Sequence, residues 1–251
     1  MCFPFDAVPP EIPAGHRVIA GGAAGEALTL TSADGTEFSA YLARAEGPVG
    51  VVVLPDVRGL FRFYEQLAER FADAGHSAIA FDYFGRTAGL GPRGEDFEYM
   101  PHVRQSTPDN VAADVRATIE KLRAETGATT IVSVGFCFGG AQSFMQGSRD
   151  QGLAGVVGFY GSLVREGQRW TLDRASEITV PVLGLFAGDD KNITAELVAE
   201  FGTRLRVPHE IHTYPGAPHS FFDRRQEQYA SESEDAWNRV LSFISQRQAE
   251  G

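Results

Sequence analysis

Apolar residues follow two different rhythms along the chain. Residues 27–43 alternate around Asp34-Gly35. That dipeptide is a strong two-residue turn signal, so Ala27–Ser32 and Thr36–Ala43 are expected to pair as an antiparallel hairpin. Beyond it the runs Val49–Leu54, Ser77–Phe81, Thr129–Val134, Leu153–Phe159 and Val180–Phe186 are nearly continuous in apolar residues. Strands buried on both faces of a parallel sheet read this way. His209–Tyr214 is a further strand candidate.

Helical periods separate these runs: Phe61–Ala74 closing at Gly75, Pro108–Thr126 with Thr107 as N-cap, Gly139–Gly147, Ala195–Arg206 capped by Thr194, and Glu232–Gln248. The alternation predicts an α/β fold, with a mainly parallel sheet, right-handed crossovers and helices on both faces. No repeat or linker interrupts residues 1–251, so one domain is expected. Gly85–Thr107 is the longest irregular stretch, placed after a strand end where a lid could overhang a site.

Ligands of such sheets bind beyond the carboxyl ends of the strands, and the chemistry gathers there. Gly135-Phe136-Cys137-Phe138-Gly139-Gly140 follows an apolar strand and opens a helix. A side chain on such a strand-turn-helix elbow projects above the sheet, making Cys137 the candidate nucleophile. Alone, the hexapeptide would also suit a small buried thiol. After the Val180–Phe186 strand come Asp189 and Asp190, and after His209–Tyr214 comes His219 in a Gly/Pro-rich loop. The order Cys137, Asp190, His219 supplies a nucleophile, an orienting acid and a base. Asp189 remains the alternative acid, one that could instead shape the turn.

Composition narrows the function. A formal charge of -11 repels a phosphate backbone, and no basic stripe interleaved with aromatics occurs, so no nucleic-acid partner is expected. No apolar run approaches the roughly 20 residues that span a bilayer. We expect no membrane association and a cytoplasmic location. Cys2 and Cys137 do not make a disulfide framework, and a reduced compartment keeps the elbow thiol free. Without a Cys-x-x-Cys or a His/Cys cluster, neither a metal nor a redox cofactor is expected.

Five segments in order, Leu54–Leu60, Asp82–Arg86, Gly135–Gly140, Gly188–Asp190 and His219–Phe221, resemble the dienelactone hydrolase (carboxymethylenebutenolidase-like) family of the α/β-hydrolase superfamily across nearly the whole chain. The resemblance implies a Cys137-His219-Asp190 triad. It also implies an oxyanion hole from the N–H groups of Phe138 and Val57, positions that general oxyanion-hole geometry supports as well. It places a thiol-contacting carboxylate at Asp56, where the best-known members carry glutamate, and a substrate-binding arginine at Arg86. A second family arginine meets Asp223 here, with Arg224 and Arg225 displaced. Ser220 is a candidate polar contact to substrate. In plainer roles Asp56 could cap the following helix, Arg86 could be a solvated loop charge and Ser220 a turn residue.

The expected reaction is hydrolysis of a small ester or enol-lactone through a thioester. A free thiol is only about 3% thiolate at pH 7, so activation is required. The competing readings are a carboxylesterase acting on neutral esters and a non-catalytic binding module. The sequence is compatible with a monomer or a small homo-oligomer.

Overall fold

The computed structural model describes residues 6–13, 15–16, 24–165, 169–222 and 226–250; Cys2, Asp223, Arg224 and Arg225 lie outside them. Asp34-Gly35 turns the chain as its composition demands. Gly35 takes φ 83°, and β1 (Glu26–Thr31) pairs antiparallel with β2 (Glu37–Ala43) from Thr31 opposite Glu37. The apolar runs become β3 (Val49–Leu54), β4 (Ser77–Phe81), β5 (Thr130–Phe136), β6 (Gly155–Phe159) and β7 (Val182–Ala187), in which Thr130 alone is not fully buried. The last strand, β8 (His209–Tyr214), lies at the sheet edge and is largely exposed, which explains its mixed composition.

The eight strands form one sheet in the order β1-β2-β4-β3-β5-β6-β7-β8. Pairing is parallel from β4 through β8, with β2 antiparallel to both of its neighbours. The chain leaves β3 for β4 on one side and returns to β5 on the other. Such a reversal opens a crevice at the carboxyl ends of the two central strands.

The helices are α1 (Arg62–Asp73), α2 (Gly85–Ala88), α3 (Tyr99–Gln105), α4 (Pro108–Thr126), α5 (Phe138–Gln146), α6 (Trp170–Arg174), α7 (Ala195–Arg204) and α8 (Gln226–Glu250), the last with non-helical dihedrals at Tyr229. Thr107 caps α4 by accepting from the Asn110 N–H at 3.2 Å, and Thr194 caps α7 through the Leu197 N–H at 3.4 Å. Helices cover both sheet faces. Gly155 and Gly158, three apart on β6, point to opposite faces, and Phe243 of α8 fills the space beside one while Phe144 of α5 fills it beside the other. Phe71 of α1 packs edge-on against Trp237 of α8, with ring centroids 4.7 Å apart.

The stretch expected to be one irregular lid is built differently. Residues 85–107 contain α2 and α3, and Arg93 anchors the segment by pairing with Asp82, at the end of β4, at 2.8 Å. Short helices give too few turns for a periodic signal, and this buried ion pair joins residues no local pattern connects. The five-residue α6 escaped the sequence reading for the same reason.

Candidate active site

β5 ends at Phe136 and α5 begins at Phe138, leaving Cys137 alone at the turn with φ 55° and ψ −111°. A non-glycine residue there is strained, and strain of this kind persists only where the surroundings impose it. The flanking glycines explain how. A Cβ at Gly135 would lie 2.0 Å from the Gly139 carbonyl oxygen, and one at Gly139 would lie 2.1 Å from that of Leu54. Two hydrogen bonds hold the elbow: the Cys137 N–H donates to Phe159 O at 3.0 Å, and the Ala141 N–H donates to Cys137 O at 3.2 Å. Because Phe138 opens α5, its N–H is a first-turn donor with no intrahelical acceptor.

His219 and Asp190 come from the loops after β8 and β7. The imidazole Nδ1 and Asp190 Oδ2 are 2.5 Å apart. Asp190 is buried, whereas Asp189 is exposed, so the structure pairs the histidine with the second aspartate. Burial pushes the Asp190 carboxyl up. Bonds from His219 and from the Asn192 and Ile193 amides outweigh that and hold it below the ordinary carboxylate range. Tyr160, just after β6 with φ 36°, sets its ring 4.9 Å from the imidazole. Sequence reading missed it; its place at the carboxyl end of a parallel strand was the available signal.

The loop after β3 completes the arrangement. Its amides are nearly all engaged: Asp56 N–H with Tyr64 Oη, Arg58 N–H with Asp56 Oδ1, Gly59 N–H with Asp56 O, and Leu60 N–H with Asp82 Oδ1. Among the described residues, Val57 is the position in 56–60 whose N–H has no acceptor. Cys137 and His219 line one cleft of about 750 Å³, together with Arg165, Arg169, Ile193 and Leu197. Among the described residues, no group of three or more His, Cys, Asp or Glu side chains is placed to hold a metal.

A model of the dienelactone hydrolase family matches residues 38–248, the stretch containing all these elements. The chain belongs to the dienelactone hydrolase family. It is 28% identical over 232 residues to a Yersinia pestis protein named "Putative carboxymethylenebutenolidase", with 87% of each chain covered. A protein of the same name from Saccharolobus solfataricus is 30% identical, covering 84% of this chain and 95% of its own. The solved structure called "Putative Dienelactone Hydrolase" from Klebsiella pneumoniae superposes with a TM-score of 0.75 at 27% identity, covering 89% of this chain and 99% of that one. The fold is that of the α/β-hydrolases, and the protein is a hydrolase of this family.

Within this dienelactone hydrolase framework, two expected site residues, Asp56 and Arg86, have ion-pair partners of their own. Asp56 is fully buried and grips Arg58 through Nε at 3.1 Å and a terminal nitrogen at 3.0 Å, while the guanidinium lies 4.3 Å from the Phe61 ring centroid. The sequence reading overlooked Arg58, two residues away. Asp56 and Cys137 nevertheless share a neighbour. Burial pushes the Tyr83 phenol well above its ordinary range, and the nearby Asp56, Asp82 and Cys137 side chains push it further. That phenol donates to Pro55 O at 2.9 Å.

Arg86, expected at the substrate, is instead held by Asp114 at 2.5 Å, Asp34 at 2.9 Å and Ser32 Oγ at 3.0 Å, tying the hairpin turn to α4. Its charge is used in building the fold. Arg86→Gln should therefore cost about 2–4 kcal/mol, because the buried Asp114 loses its partner. Burial already raises the Asp114 carboxyl, against the opposing pull of Arg86, and removing the cation raises it further. A carboxyl raised in the folded state binds protons there that the unfolded chain releases, so the penalty grows as pH rises above about 4 and fades below it. Urea unfolding at pH 4 and pH 7 measures the difference.

Ser220 is expected as a polar contact to substrate or as a turn residue. It is fully buried at φ 64°, and its Oγ has no hydrogen-bond partner among the described residues. The hydroxyl lies inside the protein, on the residue that follows the histidine in sequence.

Proposed function

We propose that this hydrolase cleaves a small ester or enol-lactone, with Cys137 as nucleophile, His219 as general base and acid, and Asp190 as the partner that fixes the imidazole. One observation carries the reading: the strained Cys137 elbow and the Asp190-bound His219 open into the same cleft. With Nδ1 facing Asp190, Nε2 is the ring nitrogen that takes the thiol proton in this reading. The imidazolium formed and the α5 N-terminus then both favour the thiolate.

The thiolate attacks the carbonyl carbon, and the N–H groups of Phe138 and Val57 receive the charge that develops on the carbonyl oxygen. As the tetrahedral intermediate collapses, His219 returns its proton to the leaving oxygen. In a lactone that oxygen stays attached to the acyl chain. His219 then takes a proton from water, the hydroxide attacks the thioester, and the sulfur leaves to be reprotonated. Each turnover consumes one water and regenerates the thiol.

The Asp56 charge is matched by Arg58, which lessens its repulsion of a thiolate. Asp56 also accepts the Arg58 N–H, so in this reading it braces the loop that presents Val57. The engagement of Arg86 by Asp34 and Asp114 supports a second reading, a carboxylesterase acting on neutral esters.

Acid-quenched turnover should yield protein carrying one acyl group on Cys137, detected by intact-mass and peptide mass spectrometry. No acyl adduct and no turnover of any ester would instead support a non-catalytic binding module. Rates on a carboxylate-bearing lactone and on a neutral p-nitrophenyl ester separate the two hydrolase readings.

A further inference from the structure

Arg165 is the unexplained cation of the cleft. It lies on the segment after β6 and lines the cavity with Cys137 and His219. Its guanidinium carbon is 5.5 Å from the ring centroids of both Phe138, the residue following the nucleophile, and Trp170. One terminal nitrogen donates to Val103 O at 3.2 Å. Among the described residues no carboxylate pairs with it. A guanidinium carries five N–H donors in one plane, so a bond to one carbonyl leaves a bidentate face unused.

Among the described residues, the other arginine lining the cleft differs. Arg169 pairs with Glu200 and lies 3.5 Å from Asp173, and Arg204 joins the same two acids, so that cluster is electrically balanced. Arg86 is balanced by Asp34 and Asp114. In a chain of net charge -11, an arginine beside the nucleophile that no carboxylate among the described residues balances is a place in the cleft that attracts an anion. The neighbouring wall contributes Ile193 and Leu197, suited to an apolar body.

We propose that Arg165 determines substrate specificity by binding a carboxylate on the acyl part of the substrate while Cys137 attacks the ester or lactone carbonyl. This rests on the hydrolase reading above and adds to it the residue that would hold an anionic end of the acyl group. The cationic subsite is supplied by the segment after β6, not by the Asp82–Arg86 segment.

The test compares mono-p-nitrophenyl succinate with p-nitrophenyl levulinate, in which a neutral methyl ketone replaces the carboxylate. For wild type, kcat/KM should be higher for the succinate ester, and the advantage should shrink as salt is raised. Arg165→Gln should lower the succinate-to-levulinate ratio about 10- to 100-fold, mainly through KM, as expected for loss of a charge-assisted contact. Arg165→Lys should restore part of the ratio. Because the ratio is internal to each preparation, general damage to the variant leaves it unchanged.

Inhibition of levulinate hydrolysis by free glutarate gives a wild-type readout. Glutarate should compete, and do so less at high salt. A ratio unaltered in both variants, or a wild type that favours levulinate, would overturn the assignment of Arg165 while leaving the hydrolase reading intact. Failure of wild type to cleave either ester would remove both.

Discussion

Cys137→Ala should lower kcat/KM for any ester the protein cleaves by about 10⁴-fold or more, the loss typical when a nucleophile acting in concert with its base is removed. Alanine cannot accept an acyl group, so the remaining rate comes from whatever water the cleft orients. The fold should tolerate the change. Alanine meets the same backbone penalty at φ 55° that cysteine meets, and the side chain is only partly buried, so unfolding midpoints should agree within about 1 kcal/mol. His219→Ala should fall by a similar factor, and the double variant should be scarcely worse than either single one, because the two groups act as a unit. Steady-state rates beside urea unfolding of the same preparations measure both effects. Retention of full activity by Cys137→Ala would disprove the proposed chemistry.

Arg93→Met should destabilise the protein by about 3–5 kcal/mol, the typical cost of leaving a buried charge without its partner. Side-chain exposure is 5% for Arg93 and 1% for Asp82, so little water replaces the lost guanidinium. Asp82 also accepts the Leu60 N–H at 3.2 Å and the Phe84 N–H at 3.0 Å, and Arg93 donates to Gly89 O and lies 4.7 Å from the Phe97 ring centroid. The pair therefore joins three things: the loop presenting Val57, the end of β4 and the 85–107 segment. In a chain of this size the shift corresponds to an unfolding midpoint lower by roughly 10 °C. Adding Asp82→Asn to Arg93→Met should recover part of the loss, since it removes the stranded charge. A change below 1 kcal/mol in Arg93→Met would show that the pair contributes little to the fold. Calorimetry of the two variants beside wild type decides.

Much of this was legible along the chain because it is local. Asp34-Gly35 announced the hairpin, Thr107 and Thr194 announced their helices, and the apolar runs announced strands that are buried on both faces. The elbow was readable too, since the glycines on either side of Cys137 are required by backbone contacts within that same turn and with the adjoining β3 strand end. The order of Cys137, Asp190 and His219 followed from where strands end. The sequence left Asp189 and Asp190 open, and burial separated them.

What the chain could not reveal by itself is which charge finds which partner. Arg86, Asp34 and Asp114 lie far apart in sequence, and only the folding of the hairpin turn against α4 brings them together and removes Arg86 from consideration as a free cation. Arg93 and Asp82 likewise convert a nominal lid into an anchored segment. Arg165 carries no motif. Its meaning arises from facing the cleft without a carboxylate among the described residues, a property of its surroundings in space. The sequence by itself determined the strands, the elbow and the order of the candidate triad, because turn chemistry and burial periodicity act over a few residues. The tertiary structure decided the electrostatics of the site, because Coulomb forces act through space between side chains that the chain order keeps apart.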